Sequence, residues 1–486
     1  MQTNPKKIFI ECTYTHCSEL NTGIQRVVRK LVTLLPDIAE EYGFEVRPVI
    51  LNGDHFTEIQ ALNSVEANLA KSNKQQFSRS LRHAYYTARK GIAALLPLPG
   101  VKHFLFAHRN EFGINYILDK TLVRAVRKVK TLRNASRIQH EHTPQPITAE
   151  AGDILLLLDA SWHMDIWKAV EQLRAQGVHP LTVAYDLIPI LHPQFLDKSL
   201  VSVFSKWFQQ AARHCDGFIA ISQTVRGEIK QQLSTMPEIN LNDKFTGHFT
   251  LGADFLNADA DPEAVRKQLK KIYMQQEGTP GKPHTYLSVG TLEPRKNHQY
   301  LLDAFDQIWD QGVKVNLCLV GKCGWHHKDI LVRIKNHKLF EKNLFVWDDL
   351  NDNELAYCYQ HSQMLLFASH AEGFGLPIIE GLQFGLPVLA SDIPVHREVG
   401  ADSIDYFNLN DPGDLVQKIL FHEQHNPAEH KERPSSFTWK NWEESARSLI
   451  QEIQLFTQQP TYRNDSLSPD SPESTGRPVP ADSQVR

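Results

Sequence analysis

Short apolar runs alternate with longer stretches of helical periodicity along almost the whole chain. KKIFIECTY (6–14) has the composition of a strand; a turn at Asn21, Thr22 and Gly23 follows, then the helical stretch IQRVVRKLVTLL (24–35). FEVRPVIL (44–51) and PLTVAYDLIP (180–189) read as strands, and DILLLLD (153–159) is the continuous apolar run of a strand buried on both faces. DGFIAIS (216–222) ends at Ser222, placed to cap a helix beginning QTVRGEI. The second half repeats the pattern. HTYLSVG, VNLCLVG, NLFVWDDL, QMLLFAS and, as last strand, LPVLASD are separated by helices that include HQYLLDAFDQIWDQG, with Gly312 at its C′ position, and LPIIEGLQFG. Strands alternating with helices predict an α/β protein with parallel sheets covered on both faces.

With 486 residues the chain exceeds what one core usually serves. The pattern divides it into an N-terminal domain over 1–256 and a C-terminal domain over 284–436, joined by a polar, Lys-, Gly- and Pro-rich connection near 257–284. Two segments break the alternation. The first is an insertion at about 54–150, whose part 71–137 carries 15 Lys/Arg against Glu111 and Asp119 alone. It reads as a solvated helical insertion, as a basic amphipathic surface for anionic lipid or a phosphorylated acceptor, or as a surface for nucleic acid. The second is a Pro-, Ser- and Asp-rich tail over 457–486, which lacks apolar residues to pack and is expected to be disordered. A net charge of −4 gives no argument for nucleic acid as a partner. Six cysteines make no disulfide framework, and Cys12, His16 and Cys17 lack the second pair that a zinc site needs. The first residues show no signal peptide, and no run reaches the roughly 18 apolar residues of a spanning helix. The expected location is the cytoplasm, with peripheral contact at the inner membrane through 71–137.

Candidate chemistry concentrates in the second half. In AEGFGLPIIEGLQFGLPVLASD (371–392), Glu372 follows a strand, Gly373 and Gly375 follow it, and Glu380 lies one turn into the next helix. Glycines let backbone approach a ligand, and a helix starting near Leu376 or Pro377 directs free N–H groups at an anion. Two carboxylates can accept from sugar and ribose hydroxyls. In SVGTLEPRKN (288–297) the strand ends at Gly290, and Arg295 and Lys296 stand where two cations can neutralise a diphosphate. Taken singly, each is also compatible with two surface glutamates or a solvated Arg/Lys pair. In the first half, Gly23 with Arg26 behind it, Asp186 with His192, and Asp159 with His163 are weaker candidates at strand ends. No Asp-x-Asp pair flanks a strand, which favours neutralisation by protein and no metal.

VGTLEPRKN, LVGKCGW, HAEGFGLPIIEGLQFGLPVLASDIPVHREV and FTWKNWEESA together resemble the family 4 retaining glycosyltransferases of the GT-B fold, with Glu372 and Glu380 as their Glu-x7-Glu pair. TGIQRVVR, YDLIPILHP, DGFIAIS and LGAD resemble a bacterial branch that builds surface polysaccharides. The resemblance implies two Rossmann-like domains facing a cleft and a final helix, 437–456, that crosses back to the first. It implies no cofactor or metal, only a nucleotide-sugar co-substrate. Arg295 and Lys296 would hold the donor diphosphate, Glu380 the ribose and Glu372 the transferred sugar, with contacts from Gly23, Gly290, Thr291 and the amides of Gly373, Phe374, Gly375 and Leu376. The branch points to mannose from GDP-mannose, with rhamnose or glucose as rivals. The acceptor would be a glycan or lipid-diphosphate-linked glycan of O-antigen, capsule or exopolysaccharide synthesis. A non-catalytic subunit of such an assembly complex and another enzyme on the same fold, such as an epimerase, are the competing classes. Where many relatives carry His this chain has Tyr185, which leaves Asp186 as the acceptor-side candidate, and Thr291 stands where some relatives carry Arg.

Overall fold

The computed structural model describes residues 6–18, 23–62, 145–253, 261–274, 283–425 and 439–459. The basic stretch 71–137, Asn21, Thr22 and the tail beyond 459 lie outside the described residues. Two sheets form. The first contains β1 (Lys6–Glu11), β2 (Phe44–Asn52), β3 (His55–Glu58), β4 (Ile154–Leu157), β5 (His179–Ala184), β6 (Gly217–Ala220) and β7 (Phe245–His248), in the order β3-β2-β1-β4-β5-β6-β7. The second contains β8 (His284–Val289), β9 (Val315–Val320), β10 (Leu344–Trp347), β11 (Met364–Phe367), β12 (Val388–Ser391) and β13 (Asp405–Phe407), in the order β10-β9-β8-β11-β12-β13. All pairings are parallel except β2 with β3. β4 and β5 are buried along their whole length; β4 is the uninterrupted apolar run ILLL that such burial favours, whereas β5 also buries His179 and Thr182. Each sheet reverses direction of growth beside its first strand, between β1 and β4 and between β8 and β11. Such switch points, at the C-terminal ends of strands, are where open α/β sheets bind ligands.

Several boundaries differ from the sequence reading. The insertion does not begin at 54: Gly53, with φ 66°, closes a hairpin that sends 55–58 back along β2, and Ile147 N–H bonds to the Phe56 carbonyl. Thr13–Cys17 is a short helix rather than the end of a strand, because Glu11 and Asp159 accept the amides of Thr13 and Thr15. The stretch read as a connection contains the helix Lys267–Met274, tied to the second domain by Arg266 on Glu354 and Asp349. β7 and β13 were missed: both are short, and the latter lies beyond the run taken as the last strand. Ser222 caps the helix Gln223–Ser234 by accepting from Val225 N–H, and Gly312 follows the helix His298–Asp310 with φ 81°.

The last helix, Trp442–Thr457, opens with a capping box between Asn441 and Glu444. It packs on the N-terminal helix Gly23–Glu40, burying Leu449, Ile450, Ile453 and Phe456, and Arg447 pairs with Glu41. The chain thus returns to its first domain after building its second.

Candidate functional site

Residues 290–296 after β8 and 368–375 after β11 meet at the switch point of the second sheet. Arg295 lies between two carboxylates: Nη2 is 2.8 Å from Glu293 Oε1, and Nη1 is 2.8 Å from Glu372 Oε2. Nη1 also donates to the Ala371 carbonyl at 2.6 Å. Lys296 Nζ bonds Glu372 Oε1 and lies 4.7 Å from the centre of the Phe367 ring. Side-chain exposures of 15% for Arg295, 12% for Lys296 and 10% for Glu372 exclude a solvated surface pair. Burial works to raise the Glu372 carboxyl, but Arg295 and Lys296 outweigh it and hold the group far below the usual carboxylate range. The Lys296 ammonium is lowered by burial, against the pull of Glu372.

Gly375, with φ 109°, turns the chain into the helix Leu376–Gln383, whose Pro377 lacks an N–H that would in any case have no helical partner. Glu380 on this helix is buried. Its Oε2 accepts from the Tyr359 hydroxyl at 2.8 Å, and Oε1 lies 3.7 Å from Arg26 Nη1 of the first domain. Burial raises the Glu380 carboxyl, opposed by Arg26 and Tyr359.

The two domains touch at this loop. Ser222 Oγ donates to the Gly373 carbonyl at 2.9 Å, and a Cβ on Gly373 would stand 1.9 Å from the Tyr185 carbonyl oxygen. Only glycine fits here. Asp186, next in the chain, reaches the same cleft; burial raises its carboxyl against the attraction of Arg295, and Oδ1 accepts Ile188 N–H at 3.0 Å. Gly290 and Thr291 line the end of β8, and Gly23 opens the first-domain helix that carries Arg26. Phe374 is buried beside Trp439, and Leu376 starts the helix.

Asp159 and His163 do not join this group. Asp159 is buried and takes the amides of Thr15 and Ala160 and the Thr15 hydroxyl, so it shapes the loop after β1. His163 is exposed and stacks on Tyr14. The sequence reading missed Glu293, which shares Arg295 with Glu372, and Tyr359, which orients Glu380. Glu293 was legible as the acid two residues before the cation pair; Tyr359 had no local signal. Among the described residues no three His, Cys, Asp or Glu side chains converge as a metal site, and no helix is long and apolar enough to cross a membrane.

Residues 270–435 match the family described as glycosyl transferases group 1. The serotype-specific mannosyltransferase WbdA of Escherichia coli is 29% identical over 338 residues, which are 66% of this chain and 40% of that protein. The O-antigen chain mannosyltransferase RfbU of Salmonella typhimurium is 32% identical over 231 residues, 47% of this chain and 56% of that one. The chain therefore spans 40% and 56% of the length of these curated relatives. The N-terminal domain of a Candida albicans trehalose-6-phosphate phosphatase superposes with a TM-score of 0.53 at 12% identity, covering 93% of this chain and 97% of that one, a likeness of fold alone. The architecture is GT-B, and residues 270–435 of this chain are similar to the group 1 glycosyl transferases.

Proposed function

We propose that this chain is a retaining glycosyltransferase that moves mannose from GDP-mannose onto a glycan or lipid-diphosphate-linked acceptor in bacterial surface-polysaccharide synthesis. The observation that carries the reading is the buried group Arg295, Lys296 and Glu372 beside the Gly375-led helix N-terminus and Glu380, at a sheet switch point facing a second domain. The names of the mannosyltransferase relatives favour mannose. In this reading Glu380 receives the ribose hydroxyls and Glu372 the hydroxyls of the transferred sugar. Arg295, Lys296 and the helix amides stabilise the charge that develops on the leaving diphosphate, a kind of contribution worth ~3–4 kcal/mol for one donor in favourable cases. The acceptor oxygen bonds to the anomeric carbon on the face from which the phosphate oxygen departs, and the leaving phosphate takes the hydroxyl proton. No metal enters the scheme. Closure of the domains at Gly373 keeps water from the donor.

A thermal-shift screen with GDP-mannose, UDP-glucose, UDP-N-acetylglucosamine and dTDP-rhamnose in EDTA tests it. Saturation at a hundredfold excess over Kd adds about 2.7 kcal/mol of stability. A shift with GDP-mannose that is lost in Glu380→Ala is expected; no shift with any nucleotide sugar overturns the reading.

A further inference from the structure

Beside the charged group, and lined mainly by the first domain, is a cavity of about 330 Å³. Its volume is at the lower end of small-molecule pockets, about 300–1,000 Å³, which suits a single small ring better than a lipid chain. Its walls are of two kinds. Trp162, Phe204 and Trp207 form an aromatic cluster with ring centroids 5.1 to 5.7 Å apart. Asp186, Glu293 and Arg295 supply polar groups where the cavity meets the cleft.

A further tryptophan completes the lining from the opposite domain. Trp325 is 48% exposed, although its loop is pinned on both sides. Gly324 N–H bonds the Leu292 carbonyl at 3.0 Å, and a Cβ there would stand 2.5 Å from Thr291 Cγ2. His326 holds φ at 50° and pairs across the cleft with Asp197 at 3.2 Å. Backbone in this region is strained for a side chain-bearing residue and persists where surrounding contacts fix it. The loop thus presents an indole to the cavity while the fold gives that indole little burial.

A pyranose has this complementarity: its axial C–H groups form an apolar face for an aromatic ring, and its hydroxyls form a rim of donors and acceptors. Thr291 and Arg295 form the border that the cavity shares with the place assigned to the donor diphosphate, while Lys296, Glu372 and Glu380 do not line it, so it adjoins the donor place and lies apart from the positions assigned to the ribose and the transferred sugar. We infer that this cavity is the acceptor subsite, that it takes a pyranose ring of the acceptor glycan, and that Trp325 packs on the ring's apolar face. Asp186 and Glu293 receive its hydroxyls. The inference rests on the glycosyltransferase reading, since it names that enzyme's second substrate as a sugar ring rather than a bare lipid phosphate.

The test is saturation-transfer NMR on the full chain with methyl α-D-mannopyranoside as probe. The expected result is transfer to the ring protons in the wild type, affinity about tenfold weaker in Trp325→Ala, recovery in Trp325→Tyr, and no comparable loss in Glu372→Gln. The half-exposed position of Trp325 lets the variant fold, which circular dichroism verifies. Binding lost in Glu372→Gln and kept in Trp325→Ala would place the sugar in the donor pocket and overturn the inference, as would no binding to the wild type. A GDP-mannose thermal shift on the same samples reads the donor site separately. A shift without pyranoside binding refutes the acceptor subsite alone; pyranoside binding without a shift refutes the GDP-mannose reading alone.

Discussion

Glu398 offers a direct handle on how the two domains hold together. It lies on the helix Pro394–Gly400 of the second domain, and its carboxylate accepts from Gln223 N–H at 2.6 Å, Thr224 N–H at 2.8 Å and the Thr224 hydroxyl at 2.6 Å. These are the first free amides of the first-domain helix Gln223–Ser234, whose own cap, Ser222, serves Val225 and also donates to Gly373. One domain thus caps a helix of the other with a charged acceptor. Loss of a cap costs about 0.5–2 kcal/mol, and the charge–dipole part about 0.3–1 kcal/mol. Gln223 is exposed, so its amide turns to water when the partner is removed, which keeps the cost of Glu398→Ala near 1–2 kcal/mol. That energy falls on the closed arrangement, because the bonds exist only there, and it corresponds to roughly 5- to 30-fold in the closing equilibrium. Small-angle scattering should show a larger radius of gyration, and the KM for GDP-mannose should rise by a similar factor while far-ultraviolet circular dichroism stays unchanged. Glu398→Gln should fall between. Unchanged scattering together with unchanged KM would refute the claim that this cap holds the cleft closed.

Lys296→Ala should depress kcat by about 10²- to 10³-fold, whereas Glu380→Ala should chiefly weaken donor binding; steady-state kinetics separate the two, and near-normal activity in both would mean that the donor site is misplaced. Glu11 is pushed up to about 7 by burial and by neighbouring Asp159. The native state then keeps a proton that the unfolded chain has lost, so stability falls as pH rises from the unfolded value near 4.5 to about 7. Glu11→Gln should remove that fall, gaining on the wild type between pH 5 and pH 8 by on the order of 3 kcal/mol in denaturant unfolding; parallel pH profiles would contradict it. Ile453→Ala, in the returning helix, should lower stability by about 2–5 kcal/mol, read as a lower denaturation midpoint; a loss near zero would mean that the helix does not complete the first core.

The strands legible from sequence were those with short continuous apolar runs, such as 153–159, whose length and polar flanks mark a strand buried on both faces. β3, β7 and β13 are three or four residues long, and their identity comes from pairing with a neighbour rather than from their own composition. At the site, motif spacing named the cations and both glutamates, but it could not tell a surface pair from a buried one. Burial of Glu372 and Glu380 depends on β11 and the helix after it being covered by the first domain, and that is a tertiary fact. Tyr359, Arg26 and Glu398 show the same limit: each acts on a residue far away in sequence.

The charge balance at the cleft sets a condition on any donor. Arg295 faces Glu293 and Glu372, and Lys296 faces Glu372, so two cations meet two carboxylates before a diphosphate arrives. A third acid, Asp186, lies near Arg295, and burial pushes it toward its neutral form. Removing Glu372 would leave buried Lys296 without its carboxylate partner and Arg295 with Glu293 alone, so this carboxylate holds the two cations together at the switch point. When a nucleotide sugar enters under the proposed reading, its phosphates take over the role of counter-ion, and Glu372 is released to accept sugar hydroxyls. The amides at the Gly375-led helix start, which has no acidic residue in its first turn, then add positive potential. On that reading Glu372 serves the fold and the chemistry in succession.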